Sequence, residues 1–311
     1  MTMSLTAPVP EFSVIIGRVS TVDTQRIFDL LRALRQQIAA PAFEIIVADR
    51  INDDVTARIE REFAEVRLLP LPAAASLPQL RTAALRVARG RYIAVTEDHC
   101  IPCLSWLNDF AIAFANWPAA AAHGGAVQNG ETTTTLDWAT YLCEYAEFAP
   151  PFEEHGQAKV KVPGMNIAYR KDTLNAASCE QLENGFWEST LHPQLDAAAQ
   201  RIRACLGAVV THRKRIPLAM FAQQRFWYSR YFAGTRWQPA ARLSRALAAA
   251  LTPALPVLLL TRIATAAWRR PTLRRPLLRS LPLLTGFVLV AAAGELVGYV
   301  AGPGNALRRL E

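Results

Sequence analysis

The chain has 311 residues, of which 51% are hydrophobic and 19% are charged, and its formal net charge is +8. This length and apolar content exclude a disordered protein and suffice to bury one large core or two smaller ones. The basic excess leaves three classes of partner open: nucleic acid, an anionic membrane surface or a phosphorylated substrate.

The N-terminal sequence, MTMSLTAPVPEF, lacks a basic start, an apolar run and a small-residue cleavage site. We therefore expect nothing there to direct secretion, and a cytosolic location for most of the chain. The five cysteines are odd in number and scattered, which favours reduced thiols. Cys100 and Cys103 form one C-x-x-C, but no second pair accompanies it, so we do not expect a structural zinc site of that kind.

Short apolar runs alternate with stretches of helical spacing in the first hundred residues. The runs are residues 12–17, 43–48, 66–69 and 91–96, and the helical stretches between them are 27–34, 55–63 and 77–88. Continuous apolar runs of this length are typical of buried parallel strands. The alternation predicts an α/β fold with a mixed, mainly parallel sheet flanked by helices.

The pattern beyond residue 100 is mixed. We expect helices over 104–117 and 136–148, strands over 119–127 and 208–212, a loop over 149–156, and an aromatic, basic helix over 221–236. The last strand ends in a histidine, His212.

Composition becomes strongly apolar after Arg236, so we predict a domain over 1–236 and a C-terminal segment over 237–311, with apolar helices at about 246–268 and 281–301. The loop expected between them, residues 269–280, carries five arginines. If both helices spanned a membrane, this loop would lie on the far side, against the positive-inside tendency. We favour in-plane or re-entrant helices at the anionic cytoplasmic face. The alternative is two buried helices of a larger soluble domain.

Polar side chains follow three of the predicted strands: Arg18 the first, Asp49 the second, and Glu97-Asp98-His99 the fourth. Open α/β sheets bind ligands beyond the carboxyl ends of their strands. The chain has no phosphate-binding loop, dinucleotide fingerprint, H-E-x-x-H or G-x-S-x-G motif, which removes several enzyme classes. Acidic residues with His212 suit Mg²⁺ or Mn²⁺ together with a nucleotide diphosphate.

A series of segments resembles the family 2 glycosyltransferases, which have the GT-A fold. In chain order they are Glu44-Ile-Ile-Val-Ala-Asp49, Leu80-Arg81, Gly90-Arg-Tyr-Ile93, Glu97-Asp98-His99, Gly164-Met-Asn-Ile-Ala-Tyr-Arg170, Phe186-Trp-Glu188, Val210-Thr-His212 and Gln223-Gln-Arg-Phe-Trp227. The resemblance covers residues 12–236. It implies transfer of a sugar from a nucleotide-sugar donor, with inversion at the anomeric carbon.

The resemblance also implies a donor site. Asp49 would accept a hydrogen bond from the base of the nucleotide, and Glu97 would lie near the ribose. Asp98 and His99 would hold Mn²⁺ or Mg²⁺ on the diphosphate, with His212 as a further ligand, and the cation would act as a Lewis acid on the leaving group.

Two arginines and one carboxylate complete the implied chemistry. Arg81 and Arg225 would bind the donor and stabilise charge at the same centre. Glu188 aligns with the family's general base, which takes the proton of the acceptor hydroxyl. Its neighbours Phe186 and Trp187 would raise its pKa by desolvation. The residues implied on the acceptor side are Gly164, Asn166, Trp187, Gln223 and Trp227.

These assignments have structural alternatives. Glu188 would cap a helix, Asp98 would be an N-cap before Pro102, and Asp49 would cap the helix that starts near Asp53. His212 would be a hydrogen-bonded structural histidine. Residues 223–227 would belong to an amphipathic helix at a membrane interface.

The chain also departs from the family pattern. Gly17-Arg18-Val19 stands where members usually have Pro and a polar residue, and Arg50 stands where they often have a second acid. The metal triplet is EDH instead of DxD, and the base is Glu instead of Asp. These departures leave the donor and the metal dependence open.

We expect a membrane-associated glycosyltransferase with a cytosolic catalytic domain and a lipid-linked or saccharide acceptor. One alternative is a nucleotidyltransferase, although residues 12–25 lack the glycine- and lysine-rich loop usual in that class. Another is a catalytically inactive GT-A scaffold at the membrane. Nucleic acid is not an expected partner, because the basic excess lies beside the apolar helices.

Overall fold

The computed structural model describes residues 9–21, 23–152, 160–185, 187–236 and 242–310. The chain divides into two compact units, Met1–Gln128 with Pro151–His212, and Asn129–Pro150 with Arg213–Glu311. The predicted functional boundary at residue 236 stays a prediction, because compactness alone does not define a catalytic domain. Part of the expected loop over 149–156 lies outside the described residues.

The strands belong to one eight-stranded sheet. They are β1 (Phe12–Arg18), β2 (Phe43–Asp49), β3 (Val66–Pro70), β4 (Tyr92–Glu97), β5 (Cys100–Pro102), β6 (Ala122–Asn129), β7 (Ile167–Arg170) and β8 (Ile202–His212). Their order is β3-β2-β1-β4-β7-β6-β8-β5. The first four strands pair in parallel, while β7 is antiparallel to β4 and β6, and β5 is antiparallel to β8. The predicted mixed, mainly parallel sheet is confirmed.

The helices cover the sheet in the first unit and build the second unit. They are α1 (Arg26–Arg35), α2 (Asp54–Glu62), α3 (Leu77–Val87), α4 (Trp106–Asn116), α5 (Thr135–Tyr145), α6 (Lys171–Ala176), α7 (Cys179–Glu183), α8 (Trp187–Ala197), α9 (Leu218–Arg236), α10 (Arg242–Leu251), α11 (Leu255–Trp268) and α12 (Pro271–Ala301). All seven residues of β1 are buried, which is typical of a strand covered on both faces.

The loop predicted over residues 269–280 is wrong, because α12 already begins at Pro271. Proline is favoured at the start of a helix, where its missing N–H costs nothing. Leu273, Leu277, Ser280 and Leu284 then recur at helical spacing and are buried. This packing holds the arginine-rich stretch in the same helix as the apolar stretch that follows it.

Two helical segments of the second unit, Leu243–Trp268 and Pro271–Ala301, are long and apolar enough to cross a membrane. Length and composition are the only basis for that statement, and core helices of soluble proteins meet the same criterion. On α10 the side chains of Leu243, Leu247 and Leu251 are 82%, 60% and 61% exposed. Their spacing of four residues places them along one face of the helix.

Two glycines of α12 allow close contact with α9. A Cβ added at Gly294 would lie 2.3 Å from the carbonyl oxygen of Phe226, and one at Gly298 would lie 2.5 Å from that of Arg230. The two helix backbones therefore meet at a G-x-x-x-G pattern, as small residues permit.

We expect Gly294→Ala to lower the free energy of unfolding of the second unit by about 1–3 kcal/mol, because the added methyl group overpacks this contact. Chemical denaturation followed by circular dichroism measures the change. Gly286→Ala in the same helix is the matched control, since a Cβ there has nothing within 4 Å. Equal stability of the two variants would contradict the close contact.

Candidate active site

Three polar residues after β4 meet the end of β8 at one edge of the sheet. The short strand β5 pairs with β8 so that Cys100 lies opposite His212. This pairing brings the ring of His99, the residue before Cys100, to His212, and their Nε2 atoms are 3.1 Å apart. Both histidines are buried. The apolar pattern did not predict β5, because three residues are too few to form a periodic signal.

The carboxylates of Glu97 and Asp98 contact opposite sides of the His99 ring. Asp98 Oδ1 is 2.8 Å from Nδ1, whereas Glu97 Oε2 is 3.3 Å from Nε2. Nε2 therefore faces both His212 and Glu97. A carboxylate on the far ring nitrogen is the usual support of a histidine that binds a metal. The predicted ligands Asp98, His99 and His212 come together, with Asp98 behind the ring.

The donor set fits a divalent cation. Glu97, His99 and Cys100 each offer one ligand atom, and these atoms lie within 4.8 Å of one another. Carboxylate and imidazole are common ligands of Mn²⁺ and related ions. With His212 beside His99, the edge of the sheet offers oxygen and nitrogen ligands in one place.

Arg81 joins this cluster to the predicted base. Its side chain projects from α3, which begins at a capping box formed by Ser76 and Gln79. One terminal nitrogen donates to Glu97 Oε1 at 3.0 Å, and the other lies 3.8 Å from Glu188 Oε2. The guanidinium is almost fully buried. It thus neutralises two carboxylates that would otherwise repel each other.

Glu188 lies in the first turn of α8, where the helix dipole favours a carboxylate. Its carboxyl group packs against the backbone of Gly164: a Cβ added there would lie 2.6 Å from the carboxyl carbon. Its side chain is 29% exposed, and its Oε2 atom is buried without a hydrogen-bond partner among the described residues. The Glu188 side chain is therefore partly exposed, whereas its Oε2 atom is buried beside the Arg81 guanidinium.

The aromatic surroundings of Glu188 differ from the expectation. Trp187 is 1% exposed, and its indole N–H donates to the carbonyl of Leu182, so the ring lies in the interior. Phe186 lies outside the described residues. Tyr169 packs edge-on against Trp187. Burial, followed by the charge of Glu188, holds the pKa of Tyr169 well above its usual value.

Tyr169 is paired with a neutral histidine. Its hydroxyl is 2.8 Å from Nε2 of His192, and burial lowers the pKa of His192 to about 4. His192 is therefore uncharged near neutral pH, and its Nε2 atom shares a hydrogen bond with the tyrosine hydroxyl.

Asn166, predicted on the acceptor side, instead connects the strands β6 and β8 to the helix α4. Its side-chain nitrogen donates to the carbonyls of Ala126 at 2.7 Å and Ala208 at 2.9 Å, and its oxygen accepts from the indole of Trp106 at 2.8 Å. The residue is fully buried. Asn166 therefore offers nothing to a ligand in this structure and stabilises the sheet.

Asp49, predicted to bind the base, lies beneath Arg18 at the ends of β1 and β2. Its Oδ2 accepts from Arg18 at 2.9 Å and from Thr56 at 2.6 Å, and its Oδ1 accepts from the backbone of Ile51. Arg18 also donates to Asp53, which is the true N-cap of α2. Both Asp49 and Arg18 are buried. The proposed capping role of Asp49 thus belongs to Asp53.

Asp49→Ala should lower the free energy of unfolding by about 3 kcal/mol, because it leaves the buried Arg18 with Asp53 as its remaining carboxylate. Urea denaturation gives the value. Asp54→Ala, an exposed position one residue after that cap, is the control and should cost less than about 1 kcal/mol. A loss below 1 kcal/mol for Asp49→Ala would show that the Arg18–Asp49 pair contributes little to the free energy of unfolding.

The remaining predicted site residues lie on α9, in the second unit. Arg225 pairs with Glu144 of α5 at 2.7 Å and lies between the rings of Phe221 and Tyr228. Gln223 and Trp227 line a cavity of about 550 Å³ within the second unit. The guanidinium of Arg309 stacks on Trp227 at 4.7 Å. The assignment of Arg225 to the donor stays a prediction.

Comparisons with known proteins identify a matching domain and a similar fold. The family model described as Glycosyl transferase family 2 matches residues 24–174. No curated protein matches the chain in sequence.

Two solved structures illustrate the likeness. The mannosyltransferase PcManGT from Pyrobaculum calidifontis, in complex with GDP-Man and Mn²⁺, is 15% identical, with a TM-score of 0.55 over 93% of this chain and 88% of its own. TarS residues 1–349 from S. aureus are 14% identical over 90% of both chains, with a TM-score of 0.49. Residues 24–174 of the chain therefore match a glycosyl transferase family 2 domain, and the chain has the GT-A fold.

Proposed function

We propose that the chain is an inverting, metal-dependent enzyme that transfers a sugar from a nucleotide-diphosphate sugar to a hydroxyl of a lipid-linked or saccharide acceptor. The observation that carries this proposal is the buried Arg81, which contacts both Glu97 of the cation cluster and Glu188. Arg81 thereby links Glu97, which would bind the cation on the leaving diphosphate, to Glu188, the base that would activate the acceptor. Support from the mannosyltransferase with GDP-Man and Mn²⁺ is limited to its fold.

The donor side of the proposal uses the edge beyond β4. Glu97, His99 and His212 would hold a divalent cation, and Asp98 would fix the His99 ring. When bound, the cation neutralises charge that develops on the leaving diphosphate. Arg81 holds the Glu97 carboxylate in place through a hydrogen bond of 3.0 Å.

Asp49 and Arg225 have less direct roles in this proposal. Because Asp49 has no exposed atom in this structure, we assign it to positioning Arg18 beneath the nucleotide base. Arg225, which pairs with Glu144, orients α9 and through it Gln223 and Trp227.

The acceptor side of the proposal uses Glu188. The side chain of Glu188 is partly exposed, and its carboxylate accepts the proton of the acceptor hydroxyl as the hydroxyl oxygen attacks the anomeric carbon. Attack from the face opposite the leaving diphosphate inverts the configuration. Gly164 gives the carboxylate room, since any larger residue would displace it.

The stereochemistry of the product tests the reaction class. Proton NMR of product formed from an α-linked donor should show only the β-anomer. A product that keeps the α configuration would contradict an attack assisted by Glu188 as base.

We also propose that the second unit binds the anionic cytoplasmic face of a membrane. Between Arg213 and Leu310 the sequence has 16 basic residues and one acidic residue, Glu295. The exposed leucine face of α10 supports an in-plane position, which apolar and basic helices adopt at bilayer surfaces. A lipid-linked acceptor fits an enzyme held at that surface.

Flotation of the full chain with vesicles tests this placement. Binding should be strong to vesicles with anionic lipid and weak to neutral vesicles, and it should fall when Arg274, Arg275 and Arg279 are changed to Gln. Equal binding to both kinds of vesicle would contradict an electrostatic contribution to membrane binding.

A further inference from the structure

The cation cluster contains softer ligands than an all-carboxylate site. The Nε2 atoms of His99 and His212 are 3.1 Å apart, and Glu97 Oε2 is 3.3 Å from the first of them. Bonds from a zinc-like ion to imidazole nitrogen are about 2.0–2.1 Å long, so one ion can reach both rings. Imidazole favours zinc and its neighbours in the first transition row over Mg²⁺.

Asp98 fixes which ring nitrogen is available. In the tautomer that donates from Nδ1 of His99 to Asp98, across 2.8 Å, the lone pair of the ring is on Nε2, the atom that faces His212 and Glu97. This carboxylate–histidine arrangement orients the ring and raises its basicity as a ligand. Asp98 is a positioning residue in this arrangement.

Cys100 brings a sulfur atom close to Glu97 and His99. Its side chain is fully buried, and its Sγ atom lies within 4.8 Å of the ligand atoms of Glu97 and His99. Cys103, its partner in the C-x-x-C pattern, instead donates to the carbonyl of Gly207 at 3.5 Å. The two thiols therefore differ in surroundings, and Cys100 alone belongs to the cluster.

We propose that this site selects a divalent ion of the Co²⁺–Zn²⁺ group over Mg²⁺, with the thiolate of Cys100 among its ligands. The thiol proton passes to solvent when Sγ binds the ion, and nothing is oxidised or reduced. The identity of the ion follows from its ligands. Only the role of that ion in sugar transfer rests on the proposed function.

The test loads the metal-free full chain with Co²⁺ and records its absorption spectrum. We expect one equivalent of Co²⁺ to give a thiolate-to-cobalt charge-transfer band in the near ultraviolet. One equivalent of Zn²⁺ should abolish the cobalt spectrum, whereas about a tenfold excess of Mg²⁺ over Co²⁺ should leave it. Loss of the spectrum with equimolar Mg²⁺ would overturn the selectivity.

The two neighbouring cysteines provide a matched pair of variants. Cys100→Ser should lose the charge-transfer band, and Cys103→Ser should keep it. Asp98→Asn should weaken Co²⁺ binding by about 10–100-fold, as expected for a residue behind the ligand. A band that survives in Cys100→Ser and disappears in Cys103→Ser would assign the sulfur ligand to Cys103 and overturn the proposal.

A measurement on the unaltered chain removes any dependence on the folding of the variants. X-ray absorption of the zinc-loaded protein should contain a zinc–sulfur path at about 2.3 Å, and its absence would overturn the thiolate ligand. Failure here, with donor turnover intact, refutes only the ion assignment. A cobalt–thiolate band without turnover of any donor refutes the proposed function and leaves the ion assignment intact.

Discussion

Glu188→Gln should lower kcat by about 10²–10⁴-fold, the range that general acid–base catalysis contributes. The amide keeps the size of the side chain but cannot accept the proton of the acceptor hydroxyl. Because Gln still fits against Gly164, we expect the stability of the domain to change little. Release of nucleoside diphosphate under saturating donor and acceptor measures the loss.

Two features sharpen this experiment. Glu180→Gln, at an exposed position on α7, is the matched control and should keep full activity. Donor binding to Glu188→Gln should stay within about threefold of the unaltered protein, since the proposed base acts on the acceptor. Full turnover by Glu188→Gln would mean that Glu188 only stabilises the start of the helix. Absence of turnover in both the unaltered protein and Glu188→Gln would favour a catalytically inactive scaffold.

Asn166→Ala should lower the free energy of unfolding by about 4 kcal/mol. The change leaves the indole N–H of Trp106 and the carbonyls of Ala126 and Ala208 buried without their partner, and each unsatisfied group costs about 1–3 kcal/mol. Urea denaturation of the purified protein measures the effect.

The control for this variant is Asn175→Ala, at an exposed position on α6, which should change stability by less than about 0.5 kcal/mol. If Asn166→Ala changed the free energy of unfolding by a similarly small amount and weakened binding of an acceptor, Asn166 would be an acceptor-binding residue. We expect the opposite: a large loss of stability, with acceptor affinity unchanged in the protein that remains folded.

The alternation of strands and helices was predictable because the first four strands are buried parallel strands. Such strands are continuous apolar runs, and β1 and β2 begin at the predicted residues. The short strands β5 and β7 were not predicted, since three or four residues carry no periodic signal. The start of α12 was missed because prolines and arginines imply a loop unless buried leucines at helical spacing are also counted.

The candidate site was predictable in part. The residues at strand ends converge, because the carboxyl ends of parallel strands share one edge of the sheet. The positions of Asp49 and Asn166 were not predictable from motifs, since a motif names residue types and does not tell whether protein groups already satisfy them. Arg18 and Trp106 are those groups here, and both are fully buried. The link from Glu97 through Arg81 to Glu188 likewise required the packing of α3 and α8.

The role of Cys100 illustrates the same limit. In the sequence it forms half of an isolated C-x-x-C, which argues against a zinc site built from two such pairs. In the fold, the pairing of β5 with β8 sets it opposite His212, 112 positions away along the chain. Long-range strand pairing of this kind has no signature in local composition.

Donor binding is the most direct test of the central claim. Calorimetric titration of the full chain with a panel of nucleotide sugars, in Mn²⁺, in Mg²⁺ and in chelator, should give binding of one donor that requires a divalent ion. The same binding should be lost in Asp98→Ala and in His99→Ala. If no donor binds the unaltered protein under any of these conditions, the cluster after β4 is not a donor site and the chain is not the enzyme proposed here.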